Sequence, residues 1–423
     1  MAQAATSPQL LRRVNADAVL AVLRRSAVVT VTDLMVATGL TRATVLAVCE
    51  DLIEAGWVLE LANMRDSGGD YTKGRPARRF CYHTRAGVVI GVDLGLVTAT
   101  VVVADLAGTP LSRISRRLSA RPAGPDQLAE LTGADRLAGL DAAILAGLAE
   151  AGIEPDEVLA VTVGVPAPVS RSGKILATSQ FWEIAGVDAR AALGEKYGWL
   201  VALENDANLA ALGECWQGAA QGRQDLVALL SGERFGAGVM ESGRLLHGAH
   251  GGLGEMAYLD HVAEVGSPYG VATRCRMLGE QAVRAPGPRT LIRELSGGDP
   301  QAVTAELVFE AARSGDEVAV EIVGRVLRQL ALVIGTLSSL LNPELVIVCG
   351  AVAASIVPLV DRLAAELATV SADPPVVVAS TLGDSVVTIG ALRHALDQVE
   401  ANALNLLADG APSAPLDAAE AGQ

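Results

Sequence analysis

The period of the apolar positions changes along this chain. Up to about residue 55 they recur at helical spacing, and from Val88 onward short apolar runs closed by glycine take over. A first helix is predicted from about Leu10 to Arg25, with Leu11, Val14, Ala18, Val22 and Leu23 on one stripe. Thr30 can cap a second helix, with Asp33 in the capping-box position and Leu34 facing inward. Gly39 breaks that helix, and Thr41 can cap a third that runs through Ala55. In the third helix Val45, Val48, Cys49 and Leu52 form the apolar stripe. Ala43, Ala47 and Glu50 face away from it, with Arg42, Thr44 and Leu46 on the flanks. Gly56 stops the helix and Val58 to Leu61 reads as a strand.

Beyond Gly87 the plan becomes strand, glycine turn, strand. Val88 to Gly95 leads into Val97 to Asp105, with a turn at Leu106-Ala107-Gly108. A second copy follows: Leu226 to Gly232, then Glu233-Arg234-Phe235, then Gly236 to Glu241, with a turn at Ser242-Gly243. Two such hairpins imply two similar lobes facing one cleft, with glycines where backbone amides approach a ligand closely. Between them the apolar run Leu200 to Leu203 fits a buried strand that delivers Glu204, Asn205 and Asp206 to the start of a helix. Ligands of α/β proteins bind at such strand ends. Val318 to Leu341 reads as a long buried helix.

The division expected is a DNA-facing head over residues 1–85, a body over 86–400 with lobes of about 86–205 and 206–400, and a disordered tail over 401–423. Charge follows this division. Residues 1–90 hold 11 Lys+Arg against 8 Asp+Glu, a net of +3; the rest hold 22 against 40, a net of −18. A polyanion would be repelled by the body and not by the head. No apolar run reaches the roughly 18 residues of a membrane span, and the first residues lack a signal-peptide pattern. A cytoplasmic protein with no membrane partner is expected. Five scattered cysteines without a CxxC pair point to reduced thiols and no metal site.

Ala37-Thr38-Gly39-Leu40-Thr41-Arg42-Ala43-Thr44-Val45 resembles the turn and recognition helix of bacterial winged helix-turn-helix repressors. The resemblance implies that Thr41, Arg42, Ala43, Thr44 and Ala47 face double-stranded DNA. The two alanines allow close approach to thymine methyl groups, and Arg42 is placed for phosphate. The basic segment Lys73-Gly74-Arg75-Pro76-Ala77-Arg78-Arg79 is the expected source of affinity, with Lys73, Arg75 and Arg78 as contacts in or beside a minor groove. Helix-turn-helix geometry calls for a homodimer or homotetramer on a pseudo-palindromic operator.

The body resembles the ROK family of repressors, open reading frames and kinases. The motifs are Asp93-Leu94-Gly95, Gly164-Val165-Pro166-Ala167-Pro168, Glu204-Asn205-Asp206-Ala207-Asn208, Leu246-His247-Gly248-Ala249-His250-Gly251-Gly252-Leu253-Gly254-Glu255 and Leu341-Asn342-Pro343-Glu344, with Cys349-Gly350 and Thr388-Ile389-Gly390-Ala391-Leu392 near the end. The resemblance implies an α/β protein: an N-terminal winged helix-turn-helix before a two-lobed actin-like, ribonuclease-H-like ATPase fold. It implies a sugar held by Asn205, Asp206 and Glu255, with Glu204 and Tyr258 beside them. In the family's kinases the residue matching Asp206 is the general base. Helix capping by Asn205 and Asp206 is the plainer alternative.

The nucleotide side departs from the family. The pattern Asp-x-Gly-Gly-Thr-Lys becomes Asp93-Leu94-Gly95-Leu96-Val97-Thr98, so branched side chains replace a glycine and a hydroxyl. In the second loop Glu233 puts a carboxylate where phosphate oxygens would lie. Two like charges near 4 Å cost about 4 kcal/mol at an effective dielectric of 20. Arg234 can offset this by pairing with Glu233, or can itself hold a phosphorylated sugar. The family's zinc ligands are missing: Tyr258 takes the His position and Cys275 stands without the expected cysteines. The expectation is a regulator, a repressor of carbohydrate genes, that binds a sugar or sugar-phosphate effector with no cofactor, no metal and no catalytic residue. The rival is an active sugar kinase with an appended DNA-binding head, in which Asp206 is the base.

Overall fold

A computed structural model describes residues 8–62, 78–96, 98–118, 132–175, 188–286 and 289–408. The head contains α1 (Pro8–Arg25), β1 (Val29–Thr30), α2 (Val31–Thr38), α3 (Arg42–Glu54), β2 (Val58–Leu61) and β3 (Arg79–Tyr82). Its three strands form an antiparallel sheet in the order β1-β3-β2. The local signals place these elements. Thr30 and Asp33 form a reciprocal capping box on α2, Gly39 ends it at φ 71°, and Thr41 caps α3. The buried stripe of α3 is Val45, Val48, Cys49 and Leu52, as its spacing predicts.

The first helix differs from its predicted stripe. Val19, Leu20 and Leu23 are buried, whereas Leu11 and Val14 are more than half exposed. The apolar neighbours that α1 packs against begin only at its C-terminal half, so its first turns run past the head's core.

The body holds two five-stranded sheets built to one plan. The first contains β4 (Val88–Leu94), β5 (Thr98–Asp105), β6 (Pro110–Arg117), β7 (Val158–Val165) and β8 (Leu200–Asn205), in the order β6-β5-β4-β7-β8. The second contains β9 (Leu226–Ser231), β10 (Phe235–Glu241), β11 (Arg244–Leu246), β12 (Leu345–Cys349) and β13 (Val376–Ala379), in the order β11-β10-β9-β12-β13. In each, an antiparallel meander is extended by two parallel strands. Continuous apolar runs such as Leu345–Cys349 and Val158–Val165 suit strands covered on both faces.

Helix α4 (Gly133–Ala151) covers the first sheet through Leu140, Ala143, Ile144 and Leu148. On its way to the second sheet the chain forms α5 (Ala189–Tyr197), β8 and then α6 (Asp206–Gln217). The second sheet is covered by α7 (Val271–Arg284), α8 (Leu291–Leu295), α9 (Ala305–Arg313) and the long α10 (Glu317–Leu341). After β12 come α11 (Ala353–Ile356) and α12 (Val360–Val370). The last helix, α13 (Val386–Ala408), returns to the first sheet, packing on β4, β7 and α6. The first lobe is therefore closed by a segment from the far end of the chain. The helix also continues eight residues into the stretch expected to be tail; residues 409–423 lie outside those described.

The crossing of α13 and α6 is close. A Cβ at Gly390 would lie 1.8 Å from the Leu209 carbonyl oxygen, so only glycine fits there. Past the crossing, Leu392, Leu396, Val399 and Ala403 share one apolar cluster with Leu20, Leu23, Trp57 and Phe80 of the head. Among the described residues no single helix is long and apolar enough to cross a membrane.

Candidate functional site

The site forms where β8 passes into α6. Asn205 is the N-cap of α6: its Oδ1 accepts from the amides of Ala207 (3.0 Å) and Asn208 (3.1 Å), and its Nδ2 donates to the Ala167 carbonyl (3.1 Å). Capping therefore occupies its acceptor and leaves one amide hydrogen. Asp206 Oδ1 accepts from the Ala207 amide (2.8 Å). Asp206 faces Asp93, at the end of β4, and Glu255. Burial, then Asp93, then Glu255 push its carboxyl up to about 8. Asp93 is itself pushed up to about 6 by burial, with Arg113 drawing it down and Asp384 raising it. Near neutrality Asp206 therefore holds its proton while Asp93 is mostly ionised, unlike the ionised Asp206 that the motif alone implies. A protonated carboxyl both donates to and accepts from a hydroxyl.

Glu255 comes from the loop after β11. The Ala237 amide donates to the Gly254 carbonyl (3.2 Å), and Glu255 bridges to Gly236, so β10 holds this loop in place. The residue is exposed, but protein atoms around the carboxyl restrict its solvation. Burial raises its carboxyl and Arg234 opposes the rise. The structure thus brings Asn205, Asp206 and Glu255 together and adds Asp93. Tyr258 stays at the edge: its hydroxyl lies 3.9 Å from Met256 Sδ and its ring is 38% exposed.

Glu204 departs from its expected place at the ligand. It is buried, with Oε1 accepting from the Asn205 amide (2.8 Å) and Asn208 Nδ2 (2.9 Å). Its Oε2 pairs with His247 Nε2 at 2.7 Å. It lies behind the site, because a carboxylate in an apolar wall takes the nearest donors available. Burial would raise its pKa, but the bonds from His247 and Asn208 outweigh that and hold it below the usual range; His247 is raised by the same bond. Nearby on α13, His394 Nδ1 lies 3.0 Å from Thr162 Oγ1, and burial lowers its pKa. No local pattern pairs Glu204 with His247. The sequence signal was a loop histidine beside a glycine.

The two turns facing the acids do not fit a triphosphate. In the first, the Gly95 amide bonds the Thr98 carbonyl, and Arg136 Nη1 from α4 donates to the Leu96 carbonyl (2.6 Å). In the second, Glu233 does not pair with Arg234. It turns to α7, accepting from Thr273 Oγ1 (2.6 Å) and Arg276 Nη2 (3.3 Å). Gly238 also has a packing cause: a Cβ there would lie 2.1 Å from the Ala207 carbonyl oxygen, so this glycine lets β10 rest on α6. Nor do the residues fit zinc. Cys275 is buried in the second lobe's core, where burial pushes its thiol up to about 12, and Tyr258 offers a phenol where the family has an imidazole.

On the head, Arg42, Ala43 and Ala47 are exposed along the outward face of α3, and Thr44 is half-buried. The Thr41 hydroxyl is used by the cap, accepting from the Thr44 amide. Arg78 is already engaged. Its Nε and Nη2 bond both oxygens of Glu60 (2.8 and 2.7 Å), its Nη1 bonds Glu50 (2.9 Å), and its guanidinium lies 5.4 Å from the Phe80 ring centre. It clamps β2 to α3 and pairs with Glu50 on the outward face of α3, rather than standing free for phosphate. Lys73 and Arg75 lie outside the described residues.

The architecture is a two-lobed body of actin-like plan, with a helical head carrying a small sheet. The chain belongs to the ROK family, whose model matches residues 89–398. It is 32% identical to a glucokinase from Thermotoga maritima over 281 residues, 62% of this chain and 82% of that protein. It is 26% identical to a xylose repressor from Caldicellulosiruptor bescii over 355 residues, 80% of this chain and 83% of that protein. It is also 25% identical to the DNA-binding transcriptional dual regulator NagC of Escherichia coli, over 81% of each chain. Among solved structures, a ROK family transcriptional regulator described as a homologue of the Escherichia coli MLC protein superposes with a TM-score of 0.73, covering 95% of this chain and 100% of that one at 20% identity. A ROK glucokinase from Streptomyces griseus, in complex with glucose and AMPPNP, gives 0.62, covering 74% of this chain and 100% of that one at 23% identity.

Proposed function

We propose that this protein is a sugar-responsive DNA-binding transcriptional regulator, a repressor of carbohydrate genes, that binds a sugar or sugar phosphate without phosphorylating it. One observation carries this reading. Asn205, Asp206 and Glu255 come together, while the two turns beside them carry Leu96, packed on the first lobe's core, and Glu233, held by Thr273 and Arg276, instead of a phosphate cradle. The spare amide hydrogen of Asn205, the protonated Asp206 and the carboxylate of Glu255 supply both donors and acceptors to a polyol. Tyr258 lines the rim and Glu204 stiffens the wall. The outward face of α3, with Arg42, Ala43, Thr44 and Ala47, meets the operator, and Lys73 and Arg75 add charge. Two heads of a homo-oligomer read a pseudo-palindrome. Ligand shifts operator affinity by its preference for one relative position of the lobes.

The test measures binding to duplex from the chain's own upstream region, with and without a panel of sugars and sugar phosphates. At least one sugar should change operator affinity by about fivefold or more. If no sugar does so, the sensing role fails. An ATP phosphoryl-transfer assay over common hexoses addresses the rival kinase reading: turnover that Asp206→Asn abolishes would establish an enzyme.

A further inference from the structure

Glu400, on the last helix, stands between two arginines that belong to different parts of the molecule. Its Oε1 accepts from Arg393 Nη2 at 2.8 Å, one helical face away. Its Oε2 stops 3.9 Å from Nη1 of Arg24, on α1 of the head. Arg24 is otherwise poorly satisfied. Its Nε and Nη2 are buried without a hydrogen-bond partner, and its guanidinium lies 5.6 Å from the centre of the Tyr82 ring. The Arg24 side chain is mostly buried, so a carboxylate that closes on its Nη1 gains more than an ordinary surface pair. Arg393 does not depend on Glu400, because its Nε and Nη2 also bond Asp397 Oδ1 at 3.0 and 2.6 Å.

Each arginine is tied to a functional surface. Arg393 lies 5.6 Å from the ring centre of Trp216, near the C-terminal end of α6, whose N-terminus carries Asn205 and Asp206. Arg24 lies over Tyr82, which stacks on Trp57 at 6.4 Å, and the Trp57 amide bonds the Leu52 carbonyl of α3. The surrounding contacts between α1 and α13 are apolar, through Leu20, Leu23, Leu396 and Val399, and apolar side chains tolerate small sliding without losing partners.

We propose that Glu400 is a docking switch between head and body, in which a movement of about an ångström closes its bond to Arg24 and fixes the orientation of α3 relative to the sugar cleft. The closed state adds a charge-assisted hydrogen bond at Nη1 of Arg24; the open state leaves α1 and α13 joined mainly by apolar contacts. Two discrete arrangements of one ion pair, biased from the cleft through α6 and Arg393, are what a coupling between distant sites requires. The proposal rests on the sensing role above for its biological meaning. The switch itself is physical and is tested separately.

The experiment compares the full chain with its Glu400→Gln variant, using Arg24→Lys as the charge-retaining control. Hydrogen exchange is measured over residues 19–25 of α1 and over α6. In Glu400→Gln, exchange in α1 should rise about tenfold and α6 should be unchanged; in Arg24→Lys the rise should be smaller. Unchanged exchange in α1, or an equal rise in α6, overturns the switch. D-glucose, D-xylose and N-acetylglucosamine, each also tested as its phosphate, then serve as probes with the upstream duplex. Glu400→Gln should bind each effective sugar with wild-type affinity by calorimetry, while the sugar-induced change in operator affinity shrinks about fivefold or more. Wild-type coupling in Glu400→Gln overturns the proposal. Absence of any sugar effect in the unmutated protein counts against the sensing role and leaves the exchange result to decide the switch.

Discussion

His247 Nε2 lies 2.7 Å from Glu204 Oε2, joining the loop after β11 in the second lobe to the end of β8 in the first, directly behind the candidate ligand site. A mostly buried carboxylate makes this bond and two others, so the pair sets how the loop bearing Glu255 approaches Asp206.

Stability should peak on a pH plateau set by this pair. Glu204 is held below the ordinary 4.5, so its contribution is present above that value and lost as pH falls through the lowered one. His247 is raised above the ordinary 6.5, so its contribution is complete below that value and lost as pH rises through the raised one. His247→Ala should cost about 3 kcal/mol on the plateau, because it strands a buried charge. Urea melts at pH 5.5 and pH 9 check this: the variant's deficit should narrow at the higher pH.

Asp206 should respond in the opposite sense to Glu204. Its folded pKa of about 8 lies above the ordinary 3.8, so its contribution to stability is complete below that ordinary value, is lost as pH rises to about 8, and changes no further above it. Asp206→Asn should therefore stabilise the protein by about 2 kcal/mol at pH 8.5 and by less at pH 5, after allowing for solvent in the cleft. An Asn side chain imitates a protonated carboxyl, so sugar affinity should stay within about threefold, whereas Asp206→Ala should lose about tenfold. Calorimetric titration with an effective sugar at pH 7 decides the point.

Arg78 should matter to DNA through what it neutralises. Arg78→Ala uncovers Glu50 and Glu60 and should weaken operator binding by about tenfold, with a stability loss of only about 1 kcal/mol, because the ion pairs are partly exposed. Adding Glu50→Ala should recover most of the operator affinity in an anisotropy titration. No recovery would mean that Arg78 itself touches phosphate.

Gly390→Ala should cost about 3 kcal/mol, since its methyl group would overlap the Leu209 carbonyl and push α13 away from α6. Chemical denaturation monitored by circular dichroism reads this directly.

The legible parts of the sequence were local. Thr30, Asp33 and Gly39 act on neighbours within a few residues, so their pattern specifies the start and stop of α2 wherever the helix later packs. The apolar stripe of α3 and the two hairpins follow from periodicity in the same way. The junction of Glu204, Asn205 and Asp206 with α6 was readable as strand followed by cap. Roles that depend on distant partners were not. Glu233 could pair with its neighbour Arg234 on paper and in fact meets Thr273 and Arg276 across the lobe. Arg78 reads as a DNA cation until Glu50 and Glu60 are seen around it.

The sequence by itself determined the ROK framework, the helical head, the duplicated hairpins and the clustering of hydrogen-bonding residues after β8, because each of these is written in short-range spacing. Tertiary structure decided that Glu204 pairs with His247, that Asp206 is crowded by Asp93 and Glu255, and that the last helix runs back to pack on both the first lobe and the head. Charge and burial depend on which segments meet in space, and a lone carboxyl on the chain takes its protonation state and its partner from those meetings.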